Sequence, residues 1–360
     1  MNKKICFFIT SMHRGGAERV MSILVNHAAQ SGDEVHLILF SHSDVNYDLD
    51  SRVHIVPFSD KLKRKSGFLS WIERYKLLKK AFKQINPDLV VSFLTICNMY
   101  SCLALRNLKI PLIISERNDP IKDCPSKIKR FLRKLLYRYA DGVVFQTKAA
   151  QSYFSKKLQN RSVVIPNPVK ENLPFADVSN AEKSIVAAAK LEAQKNYPML
   201  LKAFKLFLND YPDYTLHIYG EGSRHAELVN FVSDIGVEKS VAFYGNVKDL
   251  HERIKRAKMF VLSSDYEGIS NSLLEALAMG LPSVSTDCPC GGSAMLIDDG
   301  VSGLLTPVGD EVAFAEAMKK IAASEKLTKA LSENAIKVRE IYSEDVITAR
   351  YFDFFEETMN

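Results

Sequence analysis

Tryptophan occurs once in this sequence, cysteine six times, and glycine and proline only 16 and 13 times in 360 residues. That scarcity excludes collagen-like, low-complexity and disulfide-framed architectures. The cysteines (Cys6, Cys97, Cys102, Cys124, Cys288 and Cys290) are scattered, mostly in apolar runs. No pair of C-x-x-C elements exists, which argues against a zinc framework, and Cys288-Pro-Cys290 has no second pair to complete it. A reduced, cytosolic chain fits this usage. No run approaches the ~18–20 apolar residues that a spanning helix needs. Lys3-Lys4 ahead of Ile5–Ile9 imitates a secretory start, but the apolar core is short and no small-residue cleavage site follows. The G-x-G-x-x-G fingerprint of dinucleotide enzymes is also missing, which disfavours an NAD-dependent oxidoreductase.

What is present is a folded globular composition, with 47% apolar and 25% charged residues, at a length suited to two domains. The net charge of +6 hides an asymmetry. Residues 1–166 hold 28 Lys/Arg against 13 Asp/Glu, or +15, and residues 167–360 hold 20 against 29, or −9. One half therefore presents itself to an anionic partner. Short apolar runs alternate with longer amphipathic stretches, the pattern of βα units on a parallel sheet. Candidate strands in the first half are Ile5–Thr10, Glu34–Phe40, Leu89–Phe93, Leu112–Ser115, Gly142–Gln146 and Val163–Pro166. The pattern restarts at Ile185–Ala189 and continues with Thr215–Tyr219, Val241–Tyr244, Met259–Ser263, Pro282–Ser285 and Gly303–Leu305. Pro166-Asn167-Pro168 and the polar stretch to Lys183 read as the linker between two Rossmann-like domains facing across a cleft. The expected boundaries are 1–168 and 169–342, with a last helix at about 343–360 returning to the first domain.

Two segments of the basic half stand out. Lys61–Gln84 interleaves Lys61, Lys63, Arg64, Lys65, Lys79 and Lys80 with Phe68, Leu69, Trp71 and other apolar residues. Lys122–Arg138 repeats the theme around Phe131, Leu132, Leu135 and Leu136. Basic amphipathic helices suit an anionic bilayer or a pyrophosphate at its surface, so Lys61, Lys63, Arg64, Lys65, Trp71, Lys79 and Lys80 are candidate contacts. The alternative is a solvated helix packing its apolar stripe on the domain core.

Three motifs carry chemistry. Gly15-Gly16-Ala17-Glu18 follows the first strand and opens a helix over Arg19–Ala29, a place where backbone amides approach an anion. Glu267-Gly268-Ile269-Ser270-Asn271-Ser272-Leu273-Leu274-Glu275 follows the strand Met259–Ser263, with Asn271 or Ser272 placed to cap the next helix. First-turn amides there suit a diphosphate, and Glu275, one turn in, has the reach to accept bonds from vicinal ribose hydroxyls. Lys190 and Lys195, five apart after the second domain's first strand, can flank one pyrophosphate. Gly220-Glu221-Gly222 and Gly245-Asn246-Val247 add glycine turns at the same sheet edge, where α/β sheets bind ligands.

Together these features resemble glycosyltransferase family 4: E-x7-E at Glu267/Glu275, the Lys190 and Lys195 pair, Gly220-Glu221-Gly222 and Gly15-Gly16-Ala17-Glu18. Cys290-Gly291-Gly292, leading to Asp299–Leu305, is similar to a further stretch of that family, and the resemblance runs from about Phe7 to Thr306. Gly15–Val20 and Ile114–Asn118 look closest to bacterial enzymes that build surface glycans on polyprenyl pyrophosphate. The resemblance implies a GT-B fold and a retaining hexosyltransferase. Lys190 and Lys195 would neutralise the donor diphosphate, Glu275 would bind the ribose, Glu267 the sugar hydroxyls, and Val247 the base through its backbone. Lys190 stands where relatives usually carry Arg, which keeps the charge and loses the bidentate fork. Where many members carry a His, this chain has Ser115-Glu116-Arg117-Asn118, and Arg117 cannot serve as a base. Glu18, Glu116, Arg117 and Asn118 are therefore candidates for orienting the acceptor or the sugar.

The implied reaction moves a sugar from a nucleoside diphosphate, UDP-HexNAc or UDP-hexose, to a membrane lipid-linked oligosaccharide on polyprenyl pyrophosphate. It proceeds by front-face transfer stabilised by electrostatics at the departing diphosphate. With lysines placed where a cation would sit, no metal and no cofactor are expected, and no nucleic-acid partner. The expected location is cytoplasmic, peripheral on the inner face of the cell membrane. The alternatives are a UDP-sugar epimerase of the same fold and a non-catalytic sugar-nucleotide-binding subunit.

Overall fold

The computed structural model describes residues 2–13, 15–41, 44–58 and 68–360. The chain divides into two compact units, Met1–Pro168 with Glu344–Asn360, and Val169–Ser343. Among the described residues no helix is long and apolar enough to cross a membrane.

The N-terminal unit is built on a parallel sheet of seven strands: β1 (Lys4–Ile9), β2 (Glu34–Leu39), β3 (His54–Pro57), β4 (Leu89–Phe93), β5 (Leu112–Ser115), β6 (Gly142–Phe145) and β7 (Ser162–Val164). Their order is β3-β2-β1-β4-β5-β6-β7, so the chain reverses direction across the sheet between β1 and β4. The central strands are apolar on both faces because helices cover both. Cys6, Phe7, Phe8 and Ile9 of β1 and Val90 and Val91 of β4 are fully buried. Among the described residues β3 pairs only with β2, and it was not among the expected strands.

The C-terminal unit repeats the plan with six parallel strands: β8 (Glu182–Ala188), β9 (Thr215–Tyr219), β10 (Val241–Gly245), β11 (Ala257–Leu262), β12 (Ser283–Thr286) and β13 (Leu304–Thr306). The order β10-β9-β8-β11-β12-β13 puts its reversal between β8 and β11. Leu200, Phe204 and Phe207 of the helix Tyr197–Leu208 pack with Phe314 and Met318 of the helix Glu311–Ala323 into one core with Ile185, Ile218 and Val261. Burying each such side chain contributes about 1.5–3 kcal/mol. β12 is a polar strand in a buried place, and its hydroxyls are answered locally. Ser283 Oγ donates to Leu281 O at 2.9 Å and Thr286 Oγ1 to Ser264 O at 2.6 Å.

Candidate active site

Open parallel sheets bind ligands outside the carboxyl ends of the strands where the strand order reverses. In the C-terminal unit that point is the edge of β8 and β11, and the residues following the two strands meet there. Asp265 N donates to Gln194 O at 2.9 Å, Asn196 Nδ2 to Asp265 Oδ1 at 2.7 Å, and Ser263 Oγ to Lys195 O at 2.7 Å. Asn196 takes a left-handed conformation (φ 43°) and its side chain caps the helix Tyr197–Leu208 through Met199 N. Those ties place the Lys195 ammonium on Glu267, to whose Oε1 it donates. The same carboxylate accepts from Ser264 Oγ at 2.8 Å and Gln194 Nε2 at 3.2 Å. Glu267 is only 7% exposed, so these bonds compensate a desolvated charge. Lys190, by contrast, is exposed just beyond β8 and has no ion pair among the described residues.

The helix Asn271–Met279 begins on Ser270, whose backbone is extended and whose side chain caps no first-turn amide; its Oγ lies 3.2 Å from Ser272 Oγ instead. Gly268, Ile269 and Ser270 are buried under this turn, Asn271 and Ser272 are half-buried, and Leu273 anchors the helix in the core. Glu275, one turn in, meets the imidazole of His251 at 2.9 Å. His251 was missed in the sequence, where nothing connects the short helix Leu250–Ile254 with a glutamate 24 residues later.

Glycine is required at three points of this edge. A β-carbon on Gly220, which has φ 129°, would lie 2.1 Å from Ala189 O, and one on Gly222 would lie 2.4 Å from Leu191 O. The Gly220–Gly222 turn is thus laid backbone to backbone on the loop that carries Lys190. A β-carbon on Gly292 would lie 1.6 Å from Gly268 O, so the Cys290–Gly292 turn is pressed onto the loop of Glu267 in the same way. Gly220 N donates to Gly245 O at 2.8 Å, which brings the turn holding Val247 to the same edge.

At the N-terminal unit's edge, Gly15 is the extended N-cap of the helix Gly16–Gln30, three residues ahead of the expected Arg19. Glu18 sits at the third helical position, from which a capping glutamate reaches back. Its Oε2 lies 2.3 Å from where a Gly15 β-carbon would be. Glu116, after β5, is 2% exposed. It is ion-paired with Arg133 at 3.4 Å, accepts from Thr95 Oγ1 at 3.2 Å, and accepts from the Tyr137 hydroxyl. Burial pushes the Glu116 carboxyl above the usual carboxylate range. Arg117 donates to the Tyr351 hydroxyl at 2.8 Å and to Asn167, over the ring of Phe93 at 4.8 Å. Asn118 Oδ1 accepts from Asp119 N at 2.9 Å.

Residues 169–338 match the family model of the glycosyl transferases group 1, and residues 14–173 that of Glycosyltransferase Family 4. One Campylobacter jejuni relative is 30% identical over 92% of this chain and 92% of its own. It is a GalNAc-alpha-(1->4)-GalNAc-alpha-(1->3)-diNAcBac-PP-undecaprenol alpha-1,4-N-acetyl-D-galactosaminyltransferase. This chain belongs to glycosyltransferase family 4. A second C. jejuni relative of the glycosyltransferase is 27% identical over 92% of this chain and 94% of its own. It is an N-acetylgalactosamine-N,N'-diacetylbacillosaminyl-diphospho-undecaprenol 4-alpha-N-acetylgalactosaminyltransferase. Among solved structures, Anabaena Alr3699/HepE in complex with UDP and glucose aligns with a TM-score of 0.84 at 19% identity, over 99% of this chain and 100% of that one. The fold is GT-B.

In this glycosyltransferase the two basic segments are seated differently. Lys61, Lys63, Arg64 and Lys65 lie outside the described residues. The helix Phe68–Ile85 buries Leu78 and Phe82, and Phe82 meets Phe8 of β1 edge-on at 6.3 Å. Trp71 is 41% exposed and stacks on Tyr75, Lys79 Nζ lies 5.8 Å from the Tyr75 ring centroid, and Lys80 is exposed.

Proposed function

We propose that this glycosyltransferase moves a hexose or N-acetylhexosamine from a uridine diphosphate onto a polyprenyl-pyrophosphate-linked oligosaccharide, with retention at the anomeric carbon and without a metal ion. The observation that carries the reading is the Lys195–Glu267 pair at the reversal point of the C-terminal sheet, beside the start of the helix Asn271–Met279. A lysine held there is ready to neutralise a diphosphate as it departs, with Lys190 and the first-turn amides sharing that charge. This is the service a divalent cation would otherwise supply. The Glu267 carboxylate receives Lys195, Gln194 and Ser264, an arrangement that orients donor-sugar hydroxyls better than it arms a nucleophile. Transfer then runs on the front face through an oxocarbenium-like state, rather than through a glycosyl ester. Glu275, steadied by His251, accepts the ribose hydroxyls, and the backbone near Val247 receives the base.

The acceptor assignment draws on the two C. jejuni relatives, whose names give undecaprenol-linked glycans, and on the +15 charge of residues 1–166. Glu18, Arg117 and Asn118 at the N-terminal sheet's edge are the acceptor-side residues in this reading, with Glu116 buried behind them. Such an enzyme works peripherally, on the inner face of the membrane. The test is transfer of radiolabelled sugar from UDP- and GDP-sugars to polyprenyl-pyrophosphate oligosaccharides in the presence of EDTA. Lipid-extractable label with an α-linkage from an α-donor is the expected result. UDP release or sugar isomerisation independent of acceptor would replace the reading with an epimerase.

A further inference from the structure

The helix Lys127–Leu136 is seated against the usual sense of an amphipathic helix. Its one buried side chain is an arginine: Arg133 is 0% exposed, paired with Glu116, and donates to Pro120 O at 2.6 Å. Its large apolar side chains are left outside, with Ile128 73% exposed, Phe131 67%, Leu132 41% and Leu135 40%. Ile121, shortly before the helix, is exposed as well. Lys127, Lys129 and Lys134 are exposed on the same helix. The result is an apolar face rimmed by cations, which water does not favour and an anionic bilayer does.

Next to it lies a cavity of about 300 Å³ lined by Lys134, Arg138, Lys157 and Arg161, with Tyr153 and Ser155. Among the described residues no carboxylate lines it. Lys134 rests over the Tyr153 ring at 4.7 Å, and Arg161 is fixed by donating to Arg138 O at 2.9 Å. Neither Lys134 nor Lys157 has an ion pair among the described residues.

We propose that this face docks on the membrane, and that the cavity takes the phosphate of an anionic phospholipid headgroup. Four cations and two hydroxyls complement a phosphodiester. The helix that supplies Lys134 also supplies the apolar residues that would enter the acyl boundary, so one lipid satisfies both features. The reason to dock there rests on the bilayer-borne acceptor proposed above.

Flotation of the full chain with vesicles of phosphatidylcholine alone, and of phosphatidylcholine with phosphatidylglycerol, tests the surface. Binding is expected only to the mixed vesicles and to weaken with salt. K134A/K157A and F131S should each lower it at least about tenfold. K326A/K329A, which removes equal charge from the C-terminal unit, should leave it unchanged. Equal loss in all three variants, or binding to neutral vesicles, overturns the proposal. Lysine acetylation read by mass spectrometry tests the cavity, where dihexanoyl phosphatidylglycerol should protect Lys134 and Lys157. Protection by inorganic phosphate or by a short isoprenyl diphosphate as effective as that by the lipid would refute the headgroup assignment. Flotation involves no sugar transfer. A chain that floats and transfers nothing refutes the reaction alone, and one that transfers to a soluble acceptor without floating refutes this site alone.

Discussion

Lys195 and Glu267 form an ion pair between the residues that follow β8 and those that follow β11, and side chains tie the two loops together, Ser263 Oγ donating to Lys195 O and Gln194 Nε2 to Tyr266 O. The lysine is therefore in place before any ligand arrives, which saves the cost of ordering a flexible side chain during the reaction. K195M is expected to lower kcat/KM about a hundredfold, equivalent to about 2.7 kcal/mol, with most of the loss in kcat. Steady-state kinetics at saturating donor measure it, and a thermal melt separates the effect from unfolding. Turnover within threefold of the parent enzyme would remove Lys195 from the chemistry.

In the proposed reaction, Glu275 and His251 serve donor binding rather than turnover. A carboxylate that accepts ribose hydroxyls contributes about 1.5–3 kcal/mol per charge-assisted bond, felt in binding rather than in turnover. E275A should raise the donor KM tenfold or more with a smaller change in kcat. H251A should move the same parameter in the same direction, and less. Calorimetry with UDP decides whether the loss lies in nucleotide affinity. Unchanged affinity in E275A would count against the assignment.

The contact of Gly292 with Gly268 predicts a sharp steric threshold. G292A places its methyl far inside the van der Waals contact distance of a backbone oxygen, and backbone cannot swing aside as a side-chain tip does. The loop of Glu267 must shift, so nucleotide binding should be lost while the N-terminal unit keeps its fold. Limited proteolysis together with nucleotide titration tests both halves of that statement.

The buried thiols give the pH dependence. All six cysteines are free and buried, and burial pushes the Cys288 thiol up to about 12, with Cys6, Cys97 and Cys102 also raised. A group whose pKa is raised in the folded state stabilises below its unfolded value and loses that contribution as pH rises toward the folded one. Folding stability should therefore decline above about pH 9, where these four thiols ionise in the unfolded chain and stay protonated in the folded one. Denaturant midpoints measured between pH 7 and 11 give the slope. Slow reaction of a thiol reagent with the native chain at pH 8, and six equivalents after unfolding, is the companion result.

Much of this architecture could be read in the sequence wherever a strand is a continuous apolar run. β4, β5 and β9 have the bounds that the runs Leu89–Phe93, Leu112–Ser115 and Thr215–Tyr219 give them. β3 escaped notice because it is a four-residue edge strand that begins with His54 and ends in proline. The helix Asn271–Met279 starts on Ser270 as its N-cap rather than on Asn271 or Ser272, since polar residues in a row offer several caps and only the packed loop selects one. In the candidate site, motif spacing placed Lys195, Glu267 and Glu275 on one sheet edge, while their pairing depends on side-chain geometry that spacing does not encode. The helix Lys127–Leu136 shows the same boundary from the other side. Its periodicity declares two faces, but only the partner Glu116, in another element, draws the arginine inward and turns the apolar face out.

The helix Glu344–Met359 completes the N-terminal unit from the far end of the chain. Phe355 approaches Phe7 at 6.4 Å, Tyr351 holds Arg117, and Gly142 has no β-carbon because Phe354 occupies the space. On the ribosome, these residues emerge after the whole of Val169–Ser343. The usual vectorial order, in which the leading domain finishes first, is thereby inverted. The trailing unit has its entire sequence available earlier, while β1 and β5 wait with one flank uncovered. Until the helix Glu344–Met359 has cleared the exit tunnel, the N-terminal unit is a half-closed sheet while the C-terminal unit has its whole sequence available. A chaperone that recognises exposed phenylalanines would find its target in that interval.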